Sequence, residues 1–167
     1  KHIGDNRSVY EESQRIVKEL KNCGFEVLRT KIETVPWHPK APSKVEEEMP
    51  EGCYFESHIG ITITQDEKEL LQEFVEGLNS GCTEAGRIEL GGTCKLSQNF
   101  FKKSKDGSKF VNMLTYRDNM TCKKDFERDV EAIRASLNEG DCDLKKVEAE
   151  YALYDTNVNR DARWILG

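Results

Sequence analysis

His58 stands two residues after Glu56 in the run Tyr54-Phe55-Glu56-Ser57-His58. On an extended strand, residues two apart share a face, so the two side chains are expected side by side. An imidazole titrates near neutral pH and an adjacent carboxylate tunes it, which gives a group able to exchange a proton. His58 is the best single catalytic candidate, because His2 lies at the amino end and His38 in a proline-rich stretch. The same period-two spacing pairs Lys95 with Ser97, Lys146 with Glu148 and Glu150, and Arg29 with Lys31 and Glu33. Lys95, Arg29 or Arg117 would hold an anion, since a guanidinium offers a planar fork that matches phosphate or carboxylate oxygens. The expected ligand-binding set is therefore Arg29, Lys31, Glu56, Lys95, Ser97, Arg117, Glu148 and Glu150. Which way the face bearing Arg29, Lys31 and Glu33 points is left open. Alternating charge of this kind also serves as cross-strand ion pairing on a solvated sheet, each pair contributing roughly 0.2–1 kcal/mol. That plainer reading stands beside the functional one.

The rows opposite these groups are apolar. Phe55, Ile59, Ile61 and Ile63 alternate with Tyr54, Glu56, His58, Thr62 and Thr64, and Val147, Ala149, Tyr151 and Leu153 alternate with Lys146, Glu148 and Glu150. Such strands belong to a sheet with one face on a core and the other open. Any function is expected on that open face or its rim.

His58-Ile59-Gly60-Ile61-Thr62 and Lys95-Leu96-Ser97 loosely resemble the paired His-x-Ser/Thr strand motifs of two-histidine phosphoesterases, which are built from duplicated α+β lobes. The resemblance implies a phosphoesterase-like groove in which His58 acts with Lys95, Ser97 and Arg117. The chain departs from the family at Gly60, where a hydroxyl belongs, and at Lys95, where the second histidine belongs. Paired acid and base catalysis would then be lost, and a retained anion-binding groove is the easier expectation.

The elements that must position these groups are well punctuated. Ser8 and Glu11 read as a capping box opening a helix lined by Val9, Ile16, Val17 and Leu20, which Gly24 ends. Phe25–Thr34 reads as a strand. Pro36, Pro39, Pro42 and Pro50 make 35–52 a long extended loop. Trp37 and His38 within it suit either a binding lid or an anchor for the loop. Cys53–Thr64 is the next strand, followed by a helix capped by Thr64 and Glu67 and striped by Leu70, Leu71, Phe74 and Leu78. Strands over Thr93–Asn99 and Lys109–Arg117 flank a turn at Asp106-Gly107. A third helix, capped by Asp118 or Thr121, carries Phe126, Val130, Ile133 and Leu137, and Leu144–Tyr154 closes the sheet.

From residue 53 the order is strand, helix, strand, strand, helix, strand. That predicts a single α+β domain with a ferredoxin-like, split β-α-β core at 53–155 and helices on one face. An extra helix and strand at 1–34 precede the loop, and a polar tail occupies 156–167. The extra helix and strand echo the third helix and last strand, which hints at a degenerate duplication.

The net charge is −6 over 167 residues, which argues against nonspecific nucleic-acid binding. Lys102, Lys103, Lys105 and Lys109 read as a solvated hairpin tip. The six cysteines show no CxxC pair and no zinc-finger histidine spacing, so no structural zinc, and no cofactor, is expected. Tyr154-Asp155-Thr156-Asn157 with Asp161 lacks the EF-hand glycine and terminal Glu, so it reads as an Asx turn. Phe100 and Phe101 are expected to plug a sheet edge. The sequons Asn6-Arg7-Ser8 and Asn119-Met120-Thr121 are short enough to arise by chance. No apolar run is long enough to span a membrane and no leader pattern is visible, although the chain opens on Lys1 rather than Met. A reduced, cytoplasmic domain that binds a small anionic ligand or a protein partner is the leading expectation. A phosphoesterase-like enzyme and a structural interaction module are the alternatives.

Overall fold

Long strands of alternating polarity pair wherever neighbours can bury the same face, and here four do so, with a four-residue strand added at one edge. A computed structural model describes residues 2–83, 86–104, 107–140 and 142–157. The elements run α1 (Asn6–Asn22), β1 (Lys31–Thr34), β2 (Tyr54–Thr64), α2 (Lys68–Ser80), β3 (Cys82–Thr83), β4 (Gly86–Arg87), β5 (Thr93–Lys103), β6 (Lys109–Asp118), α3 (Lys123–Glu139) and β7 (Asp143–Asp155). The main sheet has five strands in the order β1-β7-β2-β6-β5, and every neighbouring pair is antiparallel. β3 and β4 form a separate two-stranded ribbon. The chain is thus a mixed α+β protein, an open antiparallel sheet with three helices.

The core lies on one face. Phe55, Ile59, Ile61 and Ile63 of β2 join Leu114 and Tyr116 of β6, Cys94 of β5 and Tyr151 of β7. Leu71, Val75 and Leu78 of α2 and Phe126, Val130, Ile133 and Leu137 of α3 cover them, so these two helices share a face of the sheet. The α3 stripe is the one its sequence spacing predicts. The α2 stripe differs: Leu70 is exposed and Val75 takes its place, because positions 71, 75 and 78 form the inward line. α1 buries no residue, and Ile16 and Leu20 on its apolar stripe remain exposed. It leans on the sheet partly through an edge-on contact of Tyr10 with Tyr154, ring centroids 5.3 Å apart.

Several boundaries move. The first helix begins earlier than the Ser8–Glu11 box, because Asp5 accepts the Ser8 backbone N–H at 2.8 Å and caps the helix. Glu11 pairs with Arg7 instead. Gly24, at φ 85°, ends α1 as expected, with the Phe25 N–H donating to the Leu20 carbonyl in the manner of a Schellman turn. The strand read over Phe25–Thr34 shrinks to β1, since its partner β7 ends opposite Lys31. At α2 only half a capping box forms: the Glu67 carboxylate accepts the Thr64 N–H and hydroxyl. Neither Asp118 nor Thr121 caps α3, whose N-cap is Cys122.

Trp37 is 69% exposed and does not anchor the proline-rich loop. Ala41 does, within the core, helped by Lys123 N–H donating to the Pro42 carbonyl and Tyr151 Oη to the Lys40 carbonyl. Asp106, Asp141 and the tail from 158, including Asp161, Trp164 and Ile165, lie outside the described residues, as does Lys105 of the basic tip; so do the side chains of Phe100, Phe101, Lys102 and Lys103. All six cysteines are free thiols. No helix among the described residues is long and apolar enough to cross a membrane.

Candidate functional site

Strand register decides which of the chemical groups meet. Pairing of β5, β6, β2 and β7 lines up Thr93, Arg117, Glu56 and Glu150 in one row across the sheet. The next row is Lys95, Thr115, His58 and Glu148. Both rows point away from the helices, because the residues that alternate with them along each strand, such as Phe55, Tyr116, Cys94 and Tyr151, fill the core. β1 adds Lys31 and Glu33 to the same face. Arg29, just before β1, reaches it to bond Asp155 at 2.5 and 2.9 Å. The orientation that the sequence left open for this segment is thus settled, and all nine candidate residues share one face.

Glu56 is the hub. Its side chain is nearly fully buried although it lies on the open face. Oε1 accepts from Arg117 Nε at 3.0 Å and from the guanidinium amine at 2.6 Å. Oε2 faces the Lys31 ammonium and His58 Nε2, the latter at 3.4 Å. Lys31 bridges onward to Glu33. Tyr54 is wholly buried beneath this network, with the Arg117 guanidinium 4.2 Å from its ring centre in cation–π contact. The Tyr54 hydroxyl donates to Asp155 at 2.7 Å. At the β1 end the open face is therefore a packed layer of ion pairs over an aromatic floor, more enclosed than its polar sequence suggests.

The electrostatics follow from this geometry. Burial raises the Glu56 pKa, but hydrogen bonds from His58 and Lys31 and the charges of Arg117 and Lys31 outweigh it and hold the carboxyl far below its usual range. His58 is raised, first by its bond to Glu56, against the opposing effect of burial. Its Nδ1 meets Thr115 Oγ1 at 3.0 Å, which fixes the ring with Nε2 toward the carboxylates. Glu150, 4.0 Å from His58 Nε2, is raised by burial and by its contact with Glu33. Burial opposes ionisation of Asp155 too, yet Arg29 and its other donors pull it down to about 2.

The face is divided. On the β5–β6 side stand Thr93, Lys95, Ser97, Thr115 and Arg117, hydroxyls and cations. On the β2–β7–β1 side stand Glu33, Glu56, Glu148, Glu150 and Asp155, with Arg29, Lys31 and Lys146 paired among them and His58 at the boundary. The first half suits an anion and the second a cation. Glu56, His58 and Glu150 each offer a ligand atom, and these lie within 4.8 Å of one another. Glu148 also pairs with Lys146 along its own strand. Ser97 is exposed one position beyond Lys95, its hydroxyl 3.4 Å from the Met113 carbonyl.

Tyr54, Thr115 and Asp155 were not singled out from the sequence as site groups. Tyr54 and Thr115 alternate in phase with Glu56 and Arg117, the one signal that places them. The Asp155 side chain also accepts the Asn157 N–H at 3.0 Å, the Asx turn expected there.

Two further features lie elsewhere. A cavity of about 490 Å³ sits between α1, β1, β7 and the proline-rich loop, lined by Val9, Tyr10, Ile32, Cys53, Tyr151 and Leu153 among others. None of the nine candidates lines it. On the core face of β6 behind the site, Tyr116 Oη donates to Asp129 at 2.7 Å and lies 3.3 Å from Asp118. Burial raises Asp118. This cluster holds the loop before β5, through Gly91 N–H on Asp129 and Gly92 N–H on Tyr116. A Cβ at Gly92 would stand 2.1 Å from the Arg117 carbonyl oxygen. Gly92→Ala is therefore expected to destabilise by about 1–3 kcal/mol through forced backbone movement, read by urea unfolding, whereas Gly107→Ala meets no neighbouring atom and pays only for its positive φ.

No protein-family model, curated protein or solved structure matches this chain.

Proposed function

We propose that this chain is a ligand-binding domain that receives a small anionic molecule on its open sheet face. The observation that carries the reading is that, among the described side chains, β5 and β6 bring cations and hydroxyls but no carboxylate to that face. Lys95 and Arg117 stand beside the hydroxyls of Thr93, Thr115 and Ser97 on β5 and β6, next to His58. Cations set among hydroxyl donors are the groups that recognise phosphate or carboxylate oxygens. Arg117 is held by Glu56, so it is preorganised rather than free to follow a ligand.

A second reading, a phosphoesterase-like enzyme, draws on His58 at the border of the anion half, where its imidazole would serve as the acid or base and Lys95, Ser97 and Arg117 would hold the phosphoryl group. The strand connectivity supports a ferredoxin-like reading of the core, since α2 links β2 to β5 across β6, and α3 links β6 to β7 across β2. Such folds serve many functions, so the site and not the fold carries the argument. Free thiols at all six cysteines support a reducing, cytoplasmic setting.

The test is a thermal-shift screen against inorganic phosphate, nucleotides, cyclic phosphates and sugar phosphates. A ligand at a hundredfold excess over its dissociation constant stabilises the native state by about 2.7 kcal/mol. The expected result is a shift for one anion class that Lys95→Ala abolishes while leaving the unliganded melting temperature within a few degrees. A shift that survives Lys95→Ala, or none with any anion, sinks the anion reading and turns attention to a protein partner.

A further inference from the structure

The acidic half of the open face has a use that the anion reading does not absorb. Glu56 Oε2 and His58 Nε2 are 3.4 Å apart, and His58 Nε2 lies 4.0 Å from Glu150 Oε2. One ligand atom from each of the three residues falls within 4.8 Å of the others. Imidazole and carboxylate ligands bind first-row metals at about 2.0–2.2 Å, so neighbouring ligand atoms about one ion stand roughly 3–3.5 Å apart. A small inward movement of the partly exposed Glu150 side chain closes the set.

Each inner ligand is also oriented from behind, as metal ligands are. Thr115 holds His58 through Nδ1 at 3.0 Å, leaving Nε2 to face the carboxylates. Arg117 occupies Glu56 Oε1 and leaves Oε2 turned toward His58. Glu33 and Glu150 meet one another on the outer side. Within this ring of carboxylates the positive charge beside Oε2 is the Lys31 ammonium, on a flexible stem.

We infer that Glu56, His58 and Glu150 form a site for a divalent first-row transition ion, which enters by displacing the Lys31 ammonium. One imidazole with two carboxylates suits manganese, iron or zinc better than magnesium or calcium, which favour all-oxygen shells. The site stands without the anion half of the face.

The probe is Mn²⁺ alone, followed by electron paramagnetic resonance of the free ion, in buffer without phosphate and with the thiols reduced. Manganese is chosen because the six cysteines would compete for zinc. One ion per chain is expected. His58→Ala and Glu150→Gln should each weaken binding by at least the roughly tenfold that loss of a group merely orienting a ligand costs, and Lys31→Met should tighten it. The Glu150 side chain is 31% exposed and Gln keeps its shape, so its variant keeps the test valid if His58→Ala unfolds, as circular dichroism melts would reveal. Absence of stoichiometric binding to the folded wild type overturns the inference. So does binding that Glu150→Gln leaves unchanged, or that Lys31→Met weakens. Because no anion is present, a failure here says nothing against the phosphate reading, and the two proposals stand or fall separately.

Discussion

Glu56→Ala is expected to cost about 3–5 kcal/mol of stability at neutral pH, the range seen when one partner of a buried ion pair is removed. Arg117 and Lys31 both rest on this carboxylate with side chains only 22% and 17% exposed, and His58 leans on it as well. Truncation strands these cations together over the Tyr54 ring. Glu56→Gln should cost less, since it retains the shape and an acceptor for Arg117. The pH dependence follows in sign. Glu56 is depressed in the folded state, so its contribution is present above its unfolded pKa of about 4 and is lost as pH falls below that. Asp155, pulled down to about 2, behaves alike. His58 is raised, so its contribution is present below its unfolded pKa of about 6.5 and is lost as pH rises through the folded value. Urea unfolding in metal-free buffer should show the Glu56→Gln deficit shrinking between pH 5 and pH 2 as the wild type loses this carboxylate's share. A deficit that stays constant over that range would mean that the charge of Glu56 is not what matters.

Phe126→Ala should destabilise by about 3–5 kcal/mol, as truncation of a buried Phe leaves a cavity as well as losing transfer energy. Phe126 is fully buried on α3 and stacks between Phe55, 5.0 Å away, and Tyr116, 5.6 Å away. It joins α3 to β2 and β6 directly beneath Glu56 and Arg117, because Phe55 and Tyr116 alternate with those residues. Loosening this layer therefore also loosens the open face. Phe126→Leu should cost markedly less in the same urea titration, and equal losses for Ala and Leu would point to an aromatic-specific role rather than volume.

Much of this arrangement was legible before the strands were paired. Alternation along 54–64 and 144–154 put Glu56, His58, Glu148 and Glu150 on the face away from the core. Helical spacing identified the α3 stripe without error. The difficulties came where long-range contacts decide. Arg29 and Asp155 lie 126 residues apart, and no spacing in the chain announces their pair. The burial of Tyr54 and Glu56 depends on Arg117 folding over them from β6 and Lys31 reaching them from β1, across β7. The cluster of Glu56, His58 and Glu150 spans two strands, whereas a search by Cys and His spacing looks along one. Leu70 and Val75 differ by half a turn of α2, and only the position of the sheet chooses between them. Trp37 is the conspicuous apolar residue of the proline-rich loop, but the small Ala41 is what packs into the core.

On the proposed function, the β5–β6 half of the open face receives an anion. The most direct measurement is a backbone and side-chain NMR titration of the folded chain with inorganic phosphate. Saturable shifts confined to Thr93, Lys95, Ser97, Thr115 and Arg117, and lost in Lys95→Ala, are the predicted result. Shifts that gather instead around Val9, Ile32 and Leu153 at the cavity beside α1, or no saturable shift at all, would contradict it.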